Sequence, residues 1–308
     1  MWEISAGIFM GWSLGSNDSA NIFGTGVGAK VIRFRTAVCL ISIFVIVGAL
    51  LEGEKCFGTV GQLSSLDYRM AFFTMLSAAL IVTLFTYWGM PVSTSQAVIG
   101  AILGASVHAG STVDLTKLYK IFICWVLTPI GAILTSFLLY HLLGKVSDRY
   151  LKNPVLRDSI IRWALICAGC FGAYALGSNN VANVTGVYVG SGLLIPFHGA
   201  LIGGLSIVLG VVTYSRKVME TVGKKIVALD GYSAFIAELS AAIVVQIFTE
   251  VGVPVSTSQA IVGAVAGVGL VKGVRAVSSK SMIEIVVGWI STPLSGGAVC
   301  YFLLILFH

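Results

Sequence analysis

The chain has 308 residues, of which 57% are hydrophobic and 10% charged, with a mean hydropathy of +0.96 and a formal charge of +6 at pH 7. Water-soluble domains carry about a quarter charged residues, so the composition excludes a soluble globular protein. The basic surplus is spread over several loops instead of forming one patch, which argues against a nucleic-acid partner.

Met1 to Gly11 is apolar, lacks a basic flank and runs straight into a polar motif, which is not the pattern of a cleaved signal; residue 1 onward is expected to be mature protein. The motif is Gly15-Ser16-Asn17-Asp18-Ser19-Ala20-Asn21, and a basic loop with Lys30, Arg33 and Arg35 follows. The apolar run 36–53 is long enough to cross about 30 Å of hydrocarbon, as are 70–88, 118–143, 159–177, 233–249 and 282–307. Loop 52–69 mixes Lys55 and Arg69 with Glu52, Glu54 and Asp67. Gly89 and Pro91 then break the helix, and Ser93 with Gln96 three residues on fits a capping box for a new one. A central connector bears Lys145, Arg149, Lys152, Arg157 and Arg162. Beyond it come Gly177-Ser178-Asn179-Asn180-Val181-Ala182-Asn183, a loop (191–198) without Lys or Arg, and a basic loop (215–232) with Arg216, Lys217, Lys224 and Lys225. Glu238 lies in the middle of the next helix. Gly252 and Pro254 make the second break, ahead of Ser256 and Gln259, and Lys272, Arg275 and Lys280 precede the last run.

The order repeats. LGSNDSANIFGTGVG (14–28) answers to LGSNNVANVTGVYVG (176–190), FFTMLSAA (72–79) to FIAELSAA (235–242), and GMPVSTSQAVIGAILG (89–104) to GVPVSTSQAIVGAVAG (252–267). Trp125, Thr128 and Pro129 match Trp289, Thr292 and Pro293, and the offset drifts only from 162 to 164. Four ordered pairs at a near-constant offset mean duplication, with repeats 1–153 and 154–308.

Lys and Arg collect in cytoplasmic loops, yet equivalent loops of the two repeats carry opposite loads. Putting the connector inside places 15 of the 19 basic residues in the cytoplasm and both termini outside. It also requires 70–106 and 233–269 to return to the side from which they came, as hairpin or re-entrant segments. The expected fold is therefore an all-α integral membrane protein in the lipid bilayer: two inverted-topology repeats with broken helices meeting near the membrane midplane.

Polar groups at that depth need a reason. Ser93, Thr94, Ser95 and Gln96, with their twins Ser256, Thr257, Ser258 and Gln259, open two helices whose free N–H groups and dipoles attract an oxyanion without Lys or Arg. Asn17, Asp18, Asn21, Asn179, Asn180 and Asn183, with carbonyls freed at the neighbouring glycines, are hard oxygen ligands for Na⁺; Asp18 equally suits a proton. Glu238, opposite Met75 in the first repeat, offers a further ligand for a cation or a proton, or else a carboxylate hydrogen-bonded at the domain interface. Capping and helix-to-helix amide bonding explain the same residues structurally. Gly24, Gly26 and Gly28 lack the strand that a dinucleotide fingerprint requires. Almost all of the six cysteines lie in apolar runs, and no nucleophile–base arrangement marks an enzyme.

The duplicated GSNDSAN/GSNNVAN and PVSTSQ/PVSTSQ motifs resemble the signatures of the inorganic phosphate transporter family, the sodium- or proton-coupled permeases, over nearly the whole chain. The resemblance implies inorganic phosphate at the two VSTSQ helix starts, Na⁺ (or H⁺) at the Asn/Asp motifs, alternating access and a homodimer. Many members have Asp in both signature motifs, where this chain has Asn180, and the connector is too short for a large regulatory loop. A sulfate permease of the same architecture, or an anion channel, stays open at this stage.

Overall fold

The computed structural model describes every residue except 1, 29, 89–91, 226–228, 274–278 and 308, and only the backbone of 217, 220–225 and 279–285. Backbone groups in hydrocarbon must be satisfied within their own segment, and the described residues accordingly form thirteen α-helices. The first repeat holds α1 (Ile4–Asp18), α2 (Ala20–Gly28), α3 (Phe34–Glu52), α4 (Glu54–Gly61), α5 (Tyr68–Tyr87), α6 (Thr94–Ala109) and α7 (Leu115–Tyr150). The second holds α8 (Pro154–Asn180), α9 (Ala182–Gly190), α10 (Pro196–Lys225), α11 (Gly231–Val251), α12 (Thr257–Val271) and α13 (Ser279–Phe307). Seven helical stretches are long and apolar enough to span a bilayer. Six coincide with the apolar runs of the sequence. The seventh, Pro196–Arg216, is diluted by Gly199, Gly203, Gly204 and Gly210.

Side-chain caps set several helix starts. Asp67, Asp114, Asn153 and Asp230 accept from the first-turn N–H groups of α5, α7, α8 and α11. Gly252 ends α11 at φ 76°, a left-handed turn that a β-carbon would strain. Its twin Gly89, and Pro91, lie outside the described residues.

The repeats do not sit side by side; they interlock. The α1 helix packs on α10 and α3 on α8, while α6 packs on α13 and α7 on α12. Glycines make this possible. A β-carbon on Gly15 would strike the Ile207 carbonyl, and one on Gly177 would strike that of Val45, the equivalent pair 162 residues away. Gly210 against Trp12 and Gly48 against Tyr174 repeat the symmetry. The sequence reading takes Gly15 and Gly177 as helix breaks, and that is corrected here. Both lie inside continuous helix, where a side chain is excluded by the crossing partner, and the interruption falls at Ser19 and Val181, each still in the right-handed region.

Contact order gives the direction. Gly26, Phe23 and Ile22 of α2 meet Leu165, Gly169 and Gly172 of α8, so one sequence falls as the other rises. Gly7 and Gly11 of α1 meet Tyr188 and Val184 of α9 in the same opposed sense. Both contacts are antiparallel, and the second is the first with the repeats exchanged. Both hairpins also return to the side they started from. Near the start of α5 and the end of α6, the Ser64 and Ser111 hydroxyls bond at 3.0 Å and Asp114 N–H reaches the Leu63 carbonyl at 2.9 Å. At the matching ends of α11 and α12, Asp230 pairs with Lys272.

Candidate functional site

The two hairpin tips bring the starts of α6 and α12 face to face. Ser95 Oγ donates to the Val255 carbonyl at 3.0 Å, and Ser258 Oγ donates to the Val92 carbonyl at 3.2 Å. These are equivalent bonds, so each tip is tied to the other by a hydroxyl one residue inside the helix. All eight residues of the two STSQ segments are buried.

Within each start the hydroxyls divide the work. Ser93 and Ser256 are N-caps, accepting from the N–H of Gln96 at 3.4 Å and of Gln259 at 3.3 Å. A serine hydroxyl that accepts still has its proton to give. The return arm of the expected capping box is absent: Gln96 Oε1 and Gln259 Oε1 are buried without a partner among the described residues. The N–H groups of the first turn have no intrahelical acceptor.

The Asn/Asp motifs close around these starts from the other repeat. Asn21 Nδ2 donates to Ser258 Oγ at 2.9 Å, and Asn183 Nδ2 to Ser95 Oγ at 2.8 Å. Asn21 also reaches Asp18 Oδ1 at 3.4 Å, as Asn183 reaches Asn180 Oδ1 at 2.8 Å. Asp18 Oδ2 accepts the Thr94 hydroxyl at 2.8 Å. Asp18, 1% exposed, has no Lys or Arg partner among the described residues, and a buried carboxylate without countercharge binds a cation or a proton. The oxygens left over fit a cation. Ser19 Oγ and Asn183 Oδ1 are buried without partners among the described residues, and the amide donors of Asn21 and Asn183 are already spent on serines. No group of three His, Cys, Asp or Glu occurs among the described residues. The donors are therefore neutral hard oxygens around one carboxylate, a set suited to a weakly bound cation such as Na⁺.

Three of the expected cation ligands lie away from this centre. Asn179 holds a tip: its Oδ1 accepts from Val255 N–H at 2.8 Å, and its Nδ2 donates to the Val253 carbonyl and Thr249 Oγ1, both at 3.1 Å. Asn17 donates to Thr86 Oγ1 on α5 at 2.7 Å, the bond that Asn179 makes to Thr249 on α11 in the second repeat. Glu238, buried, accepts from Thr25 Oγ1 at 3.2 Å, one turn of α2 beyond Asn21. Sequence reasoning missed Thr25, and also the pair Thr86 and Thr249, which stand 163 residues apart and take equivalent bonds from Asn17 and Asn179.

Residues 14–159 and 148–300 each match the model of the phosphate transporter family. The Methanocaldococcus jannaschii protein named "Putative phosphate permease MJ0630" is 33% identical over 95% of this chain and 92% of its own length. The like-named PF1020 of Pyrococcus furiosus is 28% identical over 96% and 93%. Among solved structures, one described as "The sodium-dependent phosphate transporter" superposes with a TM-score of 0.87 at 25% identity, covering 99% of this chain and 98% of that one.

Proposed function

The chain belongs to the phosphate transporter family, and from that premise we propose that it is a secondary active transporter that imports inorganic phosphate with Na⁺ as the coupling ion, by alternating access. The observation that carries the reading is the pair of opposed helix starts, tied by Ser95 to Val255 and by Ser258 to Val92, with the unpaired Asp18 carboxylate against Thr94. Phosphate lies between the tips. It is bound by Ser93, Thr94, Ser95 and Gln96 on one side and by Ser256, Thr257, Ser258 and Gln259 on the other. Ser95 and Ser258 then exchange carbonyl acceptors for phosphate oxygens, so loading the anion and parting the tips are one event.

The coupling is electrostatic. A phosphate dianion beside a buried carboxylate is repelled unless a cation neutralises Asp18 first. Na⁺ is held by Asp18, Asn21, Asn180 and Asn183, with Asn17 and Asn179 fixing the helices that present them. Glu238 offers a further stop on the way, beside Thr25. The names of the relatives specify phosphate and that of the solved structure adds sodium dependence, which favours this pairing over sulfate or protons. Repeats 1–153 and 154–308 form one transport path, the central connector faces the cytoplasm with both termini outside, and two copies assemble as a homodimer.

The test is uptake of labelled phosphate into proteoliposomes with Na⁺ and pH gradients imposed independently. An inward Na⁺ gradient is expected to drive saturable accumulation that arsenate competes with and sulfate does not. Uptake indifferent to the Na⁺ gradient would sink the coupling.

A further inference from the structure

Four buried polar atoms form two chemically complementary pairs across the interlock. Besides the two glutamine carbonyls, the indole Nε1 atoms of Trp125 and Trp289 are buried without a partner among the described residues. A buried donor or acceptor left unmet is costly, so two acceptors and two donors at equivalent positions of a duplicated chain ask for a common explanation.

Helix register supplies it. Gly100 of α6 lies on Pro293 of α13, and Gly104 lies on Gly297, so the two helices run parallel in step. Gln96 is one turn before Gly100, and Trp289 is one turn before Pro293. In the other half, Gly263 of α12 lies on Pro129 of α7, and Gly267 lies on Ile133. Gln259 and Trp125 are again each one turn earlier. Both glutamines share a helical face with the contact glycines, so that face presents each glutamine to the tryptophan helix of the other repeat. Pro129 and Pro293 have no N–H to bond the carbonyl four residues back, which loosens each helix at the tryptophan itself.

We propose that Trp289 and Trp125 are positioning residues for the anion: a rotamer change brings the indole N–H of Trp289 onto Gln96 Oε1 and that of Trp125 onto Gln259 Oε1, bonds that the side chains do not make as they stand. An amide pinned by its oxygen has its NH₂ turned outward, toward the space between the helix starts. Each repeat thereby orients a phosphate donor carried by the other. The proposal rests on the transport reading above, and it goes beyond that reading by naming two residues that do not themselves touch the substrate.

The test is a double-mutant cycle on the full-length protein in detergent with saturating Na⁺, reading inorganic phosphate binding by calorimetry. Trp289→Phe keeps the ring and removes the donor, and it is expected to raise the phosphate Kd about five- to tenfold, the worth of one lost hydrogen bond. In a Gln96→Leu background the same change is expected to add nothing, whereas in Gln259→Leu it acts in full. The contact is also read without phosphate. In ¹⁵N-tryptophan-labelled protein the Trp289 indole resonance, assigned by its loss in Trp289→Phe, is expected to move in Gln96→Leu and to stay put in Gln259→Leu. An undiminished effect of Trp289→Phe on Gln96→Leu, or an unmoved resonance, overturns the positioning role alone. Wild-type protein that binds no phosphate overturns the transport reading, and this role with it.

Discussion

The two copies of the site share a scaffold and differ in charge. Asn21 to Ser258 and Asn183 to Ser95 are the same bond made twice, as are the two hydroxyl ties between the tips. At the next position the copies part. Asn180 accepts from Ser95 at 3.3 Å and Asn183 at 2.8 Å, and gives a proton of its own to Asn179 at 3.5 Å. Asp18 can only accept. Thr94 donates to it at 2.8 Å, and Asn21 at 3.4 Å. Duplication thus supplies the cage, and one side chain supplies its polarity.

Removing the difference is the strongest test of that contrast. Asp18→Asn makes the two sides alike and is expected to lower Na⁺-driven phosphate uptake roughly 10- to 100-fold, the worth of a charge-assisted contact. The thermal midpoint should hold or rise, because an unpaired buried charge is gone; a variant that still follows the Na⁺ gradient breaks the assignment. Next in size come the ties common to both copies. Ser95→Ala and Ser258→Ala each leave an asparagine donor unmatched, and each should weaken phosphate binding about five- to tenfold by equilibrium measurement. Equal losses mark the tips as a symmetric pair, whereas a loss confined to one would place the anion on a single helix start. The smallest change is expected from Asn180→Asp, which adds the missing carboxylate beside Asn183. It should steepen the Na⁺ dependence of uptake and shift its midpoint about two- to fivefold, a few tenths to one kcal/mol. An unchanged curve would mean that position 180 does not face the cation.

Much of this was legible in the sequence. Apolar run lengths, the constant offset and the alternation of basic loops are enough for a duplicated, inverted membrane fold, and the hairpins follow from the loop charges. The partners of each helix are not. Nothing in the residues 100–104 says that they pack on 293–297 instead of on their own repeat, because small residues announce a close approach without naming what approaches. For the same reason Gly15 and Gly177 read as breaks. Trp125 and Trp289 were visible as a repeated pair, but their role depends on a register that only the crossed packing sets. Asn17 and Asn179 match the motif by spacing, and only the packing of α5 and α11 shows that their amides bond Thr86 and Thr249.

The interlock also bears on how the molecule comes into being. When the ribosome has finished α7, the glycine-lined faces of α1, α3 and α6 have nothing to close on, since their partners are still unwritten message. The early half cannot complete its packing until its sibling arrives. Two halves made as separate polypeptides should find one another for the same reason.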